Sequence, residues 1–155
     1  MDKNEMIAYF DRCAPQWDED NLVDPAIVEA ILDNAQVGEG QDVLDVACGT
    51  GVLFPWYLER KVRSLTAIDL SPAMAAIAKE KAAGFSNITV VCGDVETWKP
   101  EMQFDRIVVY NAFPHFPHPK RLLKVLAGFL KEGGRLTVAQ GASRETINAH
   151  HEEKA

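Results

Sequence analysis

Apolar and polar positions alternate in blocks along this chain, and the block lengths change with the type of element they predict. Asp2 to Arg12 carries Met6, Ile7, Tyr9 and Phe10 at helical spacing and predicts a short helix that Ala14-Pro15 ends. Asp24 is placed to cap a second helix with Pro25 in its first position, and Ile27, Val28, Ile31 and Leu32 form its apolar face. Gly38 and Gly40 mark its end. From Asp42 onward short apolar runs alternate with helical patterns. Strands are predicted at Asp42–Ala47, Ser64–Ile68, Ile88–Cys92, Phe104–Tyr110 and Arg135–Gln140. Helices are predicted from the glycine turn to about Arg60, from Ser71 to about Ala83, and from about Lys120 to Lys131. Ser143 is placed to cap a last one.

Strands that read as near-continuous apolar runs are buried on both faces, which is the habit of a parallel sheet between two helical layers. Right-handed crossovers then favour an open, doubly wound α/β sheet of about five strands in the order 3-2-1-4-5, since five are too few for a closed barrel. One domain is expected over 1–155. Residues 1–38 form an N-terminal helical cap, 42–140 the β/α core, and 143–155 a C-terminal helix or tail. Ligands of such sheets bind at the carboxyl ends of the strands near the switch point. Chemistry is therefore expected in the loops after Val46, Ile68, Cys92, Tyr110 and Ala139.

The first of these loops reads Asp45-Val46-Ala47-Cys48-Gly49-Thr50-Gly51. Two glycines between a strand and a helix allow close approach of a ligand to the backbone, and the helix N-terminus favours an anion. A dinucleotide fingerprint needs a third glycine where this chain has Phe54, whose ring would obstruct a pyrophosphate. Asp45 would repel phosphate and suits an ammonium. S-adenosylmethionine has an ammonium, a carboxylate and a sulfonium, and no phosphate. Asp69, about 20 residues on at the end of the second strand, is placed to accept both hydroxyls of a ribose. Asp94, after Gly93 at the end of the third, is placed to accept from an adenine amino group.

Charge and composition narrow the partners. The 155 residues carry a net charge of −7, which argues against a nucleic-acid substrate. No apolar run has the length of a membrane span. The three cysteines, Cys13, Cys48 and Cys92, have neither CxxC nor zinc spacing, and a reducing cytoplasm suits them. Cys48 and Cys92 read as small packing residues. The run His150-His151-Glu152-Glu153 lacks the i, i+4 histidine spacing of a helical metal site, so no metal is expected.

Taken in order, VLDVACGTG (43–51), TAIDLS (66–71), VVCGDVE (90–96), FDRIVVYNAFPHF (104–116) and LKEGGRLTVA (130–139) resemble the successive motifs of class I, Rossmann-like, S-adenosylmethionine-dependent methyltransferases. FDRCAPQWDE (10–19) is similar to the N-terminus of the subgroup acting in ubiquinone and menaquinone pathways. The resemblance implies that Asp45 faces the methionine ammonium and that Ala47, Gly49 and Gly51 line the methionyl and ribose part. It implies that Asp69 holds the ribose and Leu70 packs on adenine, with Asp94 and Val95 at the adenine edge. Asn111 would lie near the methionyl end, with Tyr9 and Trp17 closing from the N-terminal helix.

The expected activity is methyl transfer to a small-molecule acceptor, leaving S-adenosylhomocysteine. The alternatives are a shortened binding module without turnover and an NAD-dependent oxidoreductase. His115, in the loop after the fourth strand, is the candidate catalytic base; Phe113 and Phe116 could line an apolar pocket. The chain continues only about 15 residues past the fifth strand, so the antiparallel hairpin usual in this fold is expected to be absent. The bare strand edge predicts a homodimer or other assembly.

Overall fold

The computed structural model describes residues 2–112 and 116–139. In chain order the elements are α1 (Lys3–Cys13), α2 (Trp17–Asp20), α3 (Pro25–Asn34), β1 (Asp42–Val46), α4 (Phe54–Glu59), β2 (Ser64–Asp69), α5 (Pro72–Ala82), β3 (Ile88–Cys92), β4 (Phe104–Tyr110), α6 (Pro119–Ala127) and β5 (Leu130–Ala139). The five strands form one sheet in the order β3-β2-β1-β4-β5. All four pairings are parallel. The doubly wound α/β fold expected from the pattern is therefore the fold observed.

Burial on two faces explains the apolar runs. Every residue of β1 is buried. Val43, Leu65, Ala67 and Val108 face one core with Val28 and Leu32 of α3, Tyr57 of α4 and Ala78 and Ala82 of α5. Leu44, Val46, Ile68, Ile107 and Val109 face a second core with Leu122 and Leu126 of α6. Local signals start the helices. Asp24 caps α3 by accepting from the Ala26 amide (3.0 Å), and Ser71 caps α5 by accepting from the Met74 amide (3.1 Å). No helix among the described residues is long and apolar enough to cross a membrane.

Helix α1 ends at Cys13, just before Ala14-Pro15 as expected, and the chain then passes through a 3₁₀ turn at Ala14–Gln16, whose first turn accommodates proline, into α2. Two other boundaries differ from expectation, each for a visible reason. Helix α3 stops before its glycines, where Gln36 takes the left-handed conformation (φ 59°). Helix α6 ends at Ala127, four residues early, and β5 starts at Leu130 instead of Arg135. Phe104 pairs with Leu130 but Arg106 pairs with Arg135, so a bulge over 131–134 faces Asp105. Lys131 in the bulge reaches the carboxylates of Asp42 (2.9 Å) and Asp105 (3.1 Å), and Gly133 supplies a positive φ. The glycine pair that reads as a helix stop is thus a bend within a strand. The predicted helix from Ser143 lies outside the described residues.

The N-terminal segment is tied down over the carboxyl ends of the strands. Asp11 Oδ1 accepts from Ser71 Oγ and from the Ala73 amide (3.1 Å), at the first turn of α5. Asp18 accepts from Thr50 Oγ1 and pairs with Lys81 (2.8 Å). A carboxylate against the open amides of α5 is favourably placed with respect to the helix dipole.

The turn between β1 and α4 holds three residues at positive φ, Ala47, Gly49 and Gly51, and the first and last of them have opposite consequences. Gly51 (φ 86°) lies so close over Phe54 that a Cβ would stand 2.6 Å from the ring. Ala47 (φ 59°) holds the same kind of backbone with a side chain that disfavours it. Gly51→Ala is expected to cost about 2–4 kcal/mol, and Ala47→Gly to gain about 1 kcal/mol, in urea denaturation. Two variants within about 0.5 kcal/mol of the parent would contradict this reading of the turn.

Candidate functional site

The strand ends β1, β2, β3 and β4 open onto a cavity of about 490 Å³. Its floor is made by Asp45–Gly49, Ile68–Ser71 and Gly93–Glu96, and one wall by Tyr110–Ala112. Met6, Phe10, Trp17 and Leu22 of the N-terminal segment roof it. The three acidic residues singled out in the sequence converge here, although 49 positions separate the first from the last.

Each of the three is held differently. Asp45 is 2% exposed, and no hydrogen bond or cation meets its carboxylate among the described residues. Burial pushes its pKa well above the ordinary carboxylate value, and the nearby Asp69 pushes it further. Asp69 is also raised by burial, but its two oxygens accept from the Ser71 amide (2.9 Å) and the Gly49 amide (2.8 Å), which oppose the rise. Asp94 is lowered. Burial works against this, but Lys3 Nζ at 2.8 Å and the Glu96 amide at 2.9 Å outweigh it.

The remaining expected residues divide. Ala47, Gly49, Leu70, Val95, Asn111 and Trp17 line the cavity. Gly51 and Tyr9 do not. Gly51 shapes the turn from below, and Tyr9 is 42% exposed on the outer side of α1, with its ring against that of Phe10 (5.1 Å). Phe10 takes the inward place, one residue on. Phe54 does not obstruct a pyrophosphate as expected: its ring is buried beneath Gly51 and does not reach the cavity. What opposes a pyrophosphate here is the acidic floor. Cys48 is buried, and burial, reinforced by Asp45 and Asp69, keeps it a thiol; Cys92 is exposed rather than packed. His115 and Phe113 lie outside the described residues, as does the His150–Glu153 run. Phe116 lines the cavity.

Several lining residues escaped the sequence reading. Lys3 is one. Tyr110, at the end of β4, is half-buried, and its hydroxyl meets Asn111. Arg121 of α6 reaches across to Glu96 (2.7 Å), and His118 sits at the rim. The rule that ligands bind at strand ends pointed to Tyr110. Nothing in the local sequence marks Lys3 or Arg121. Asn111, like Ala47, has a positive φ (58°), so both central strands end in a non-glycine residue held in a sparsely populated conformation at the switch point.

Residues 43–134 match the family described as methyltransferase domain. The chain belongs to the class I methyltransferase-domain family. Among relatives of this domain, the ubiquinone biosynthesis O-methyltransferase of Coxiella burnetii is 30% identical over 144 residues, covering 88% of this chain and 61% of the relative. Malonyl-[acyl-carrier protein] O-methyltransferase 1 of Ilyobacter polytropus is 30% identical over 138 residues, covering 88% and 52%. The chain thus spans between half and two thirds of these relatives' length. A crystal structure of coclaurine N-methyltransferase bound to N-methylheliamine and SAH superposes with a TM-score of 0.66 at 26% identity, over 73% of this chain and 34% of that one.

The methyltransferase domain carries an unbalanced acid in its floor, and this has a pH signature. A carboxyl group whose proton affinity is raised by folding favours the folded state below the unfolded pKa of about 4, and that stability is lost as pH rises through the folded value. Asp45→Asn removes this liability. It is expected to stabilise the ligand-free protein on the order of 1–3 kcal/mol near pH 7, with the gain shrinking toward pH 4. Thermal denaturation across this range measures it; an Asn variant less stable than its parent at pH 7 would contradict the assignment of Asp45 as uncompensated.

Proposed function

We propose that the cavity binds S-adenosylmethionine and that the protein transfers its methyl group to a small-molecule acceptor. The observation that carries this reading is Asp45, a buried carboxylate in the cavity floor with no cation against it among the described residues. Buried charges need partners, and a ligand ammonium supplies one. Asp69 has one backbone amide on each oxygen and keeps lone pairs free for two ribose hydroxyls. Asp94 accepts from the adenine amino group, with Leu70 and Val95 beside the ring. Ala47 and Gly49 flank the methionyl part, with Asn111 and Trp17 on its far side. Relatives named as O-methyltransferases, and the SAH-bound N-methyltransferase structure, support the same reading.

When bound, the sulfonium supplies an already electrophilic methyl group. The protein's part is to hold donor and acceptor in line and to exclude water, which is worth about 7–11 kcal/mol of barrier at most. Phe10, Trp17, Leu22 and Phe116 provide apolar walls for this. A base is needed where the acceptor atom carries a proton of high pKa. We assign that role to His115, which falls in the sequence between Asn111 and His118, two residues that line the cavity.

We further propose that the chain acts as one domain, with 1–38 as the roof. It works in the cytoplasm, where its free cysteines stay reduced. It assembles through β5, which is an edge of the sheet among the described residues. Light scattering at micromolar concentration is expected to give a dimer or larger, and a clean monomer would retire the last proposal.

Calorimetric titration with S-adenosylmethionine, its demethylated product and NAD tests the cofactor. Binding of the first two and not of NAD is expected, and NAD binding tighter than both would overturn the reading. Asp69→Ala is expected to weaken binding by about 10- to 100-fold, the worth of charge-assisted hydrogen bonds to two hydroxyls. Release of the demethylated product with a panel of acceptors tests turnover; its absence with every acceptor would favour a binding module.

A further inference from the structure

Side chains alternate along β1, so Asp45 shares a face of the sheet with Val43, which belongs to the core against α3, α4 and α5. On that face Asp45 stands between Ala67 of β2 and Val108 of β4, and neither side chain can hydrogen bond. Tyr57 of α4 packs into the same core. It is 0% exposed, and its hydroxyl has no hydrogen-bond partner among the described residues. Asp45 lines the cavity and Tyr57 does not, so the hydroxyl lies behind the floor. Two polar groups without partners thus share one apolar compartment. They also feel each other: burial first, then Asp45, then Cys48 raise the proton affinity of the phenol, against a smaller opposing pull from Arg60.

The other ionisable groups facing this spot are engaged. Asp69 accepts from the Gly49 and Ser71 amides, and the Cys48 thiol donates to the Gly49 carbonyl (3.5 Å). Glu29 and Asp33 of α3 hold the Arg60 guanidinium, each at 2.8 Å. Val28, Leu32, Ala78 and Ala82 bring no titratable group from α3 and α5. Buried polar groups that protein atoms leave unpaired are commonly joined by an internal water. A hydroxyl both donates and accepts, so Tyr57 suits a carboxyl in either protonation state. We infer that one internal water molecule binds between the Tyr57 hydroxyl and the Asp45 carboxylate, and that Tyr57 is a positioning residue that supports the ionised form of Asp45. A donor to the ionised form opposes the rise that burial causes. The cavity side of Asp45 stays open to a ligand ammonium. The pairing stands without a ligand; its effect on binding rests on the proposed cofactor.

Tyr57→Phe removes one oxygen and keeps the ring. The test is urea denaturation of the full chain, Tyr57→Phe, Asp45→Asn and the double variant between about pH 5 and 9. The stability that a proton on Asp45 confers is lost as pH rises through its folded pKa, and Tyr57→Phe is expected to raise that pKa by about one unit. The variant should therefore fall behind its parent as pH rises, by about tenfold in the folding constant once Asp45 is ionised in both. In the Asp45→Asn background the effect of Tyr57→Phe should be the same at every pH. An effect of Tyr57→Phe that does not change with pH, or that changes equally in both backgrounds, would overturn the inference. So would a crystal structure of the parent with no water between the two oxygens. Calorimetric titration with S-adenosylhomocysteine is expected to show Tyr57→Phe binding about three- to tenfold more weakly near pH 6, with the gap closing as pH rises. Equal affinities at every pH would overturn the role in binding. Failure of the parent to bind would remove the cofactor assignment instead, and the denaturation series would still decide the pairing.

Discussion

A carboxylate at the end of the central strand, 2% exposed and with no positive group against it among the described residues, is costly for the fold to keep. Packing does not require it, since an amide of the same size would fit. The cost becomes intelligible when the free strand ends are considered together. Asp69 comes in from β2 with its two amides, Asp94 from beyond β3 with Lys3, and Asn111 from β4, all onto one cavity. The rest of the molecule serves to hold these four strand ends in register. The parallel pairings set β1 between β2 and β4, so the acid lies where the crossovers diverge.

At the far end of the sheet lies a contrasting acid. Asp42 is also buried, but Arg63, Ser64 and Lys131 surround it, and the Arg63 guanidinium leads in holding its carboxyl far below the ordinary range. One strand thus carries two buried acids three residues apart, one fully neutralised by its own protein and one left open. The first closes the β5 bulge onto the sheet. The second is open only where a ligand can reach it. That difference within five residues separates a charge paired inside the fold from one that faces the cavity.

The sheet order, the cap residues Asp24 and Ser71 and the convergence of Asp45, Asp69 and Asp94 were legible in the sequence because each follows from a local rule. Strand ends carry the site, apolar runs mark buried strands, and Ser or Asp before Pro starts a helix. What the sequence hid depends on tertiary partners. Lys131 reads as the last turn of a helix until Asp42 and Asp105 are seen waiting for it. Phe54 reads as a wall of the cavity, whereas the positive φ of Gly51 lets the backbone fold over the ring. Tyr9 and Phe10 cannot be told apart by periodicity alone; the docking of Asp11 on α5 decides which of them faces in.

The central claim is that a ligand ammonium meets Asp45 and lowers the proton affinity that burial has raised. The direct measurement is titration of S-adenosylmethionine into the protein near pH 6, where the ligand's amino group is already protonated, in buffers of different ionisation enthalpy. The account predicts net release of protons on binding, and loss of that release in Asp45→Asn. Binding with no proton exchanged at any pH between about 5 and 8 would contradict it.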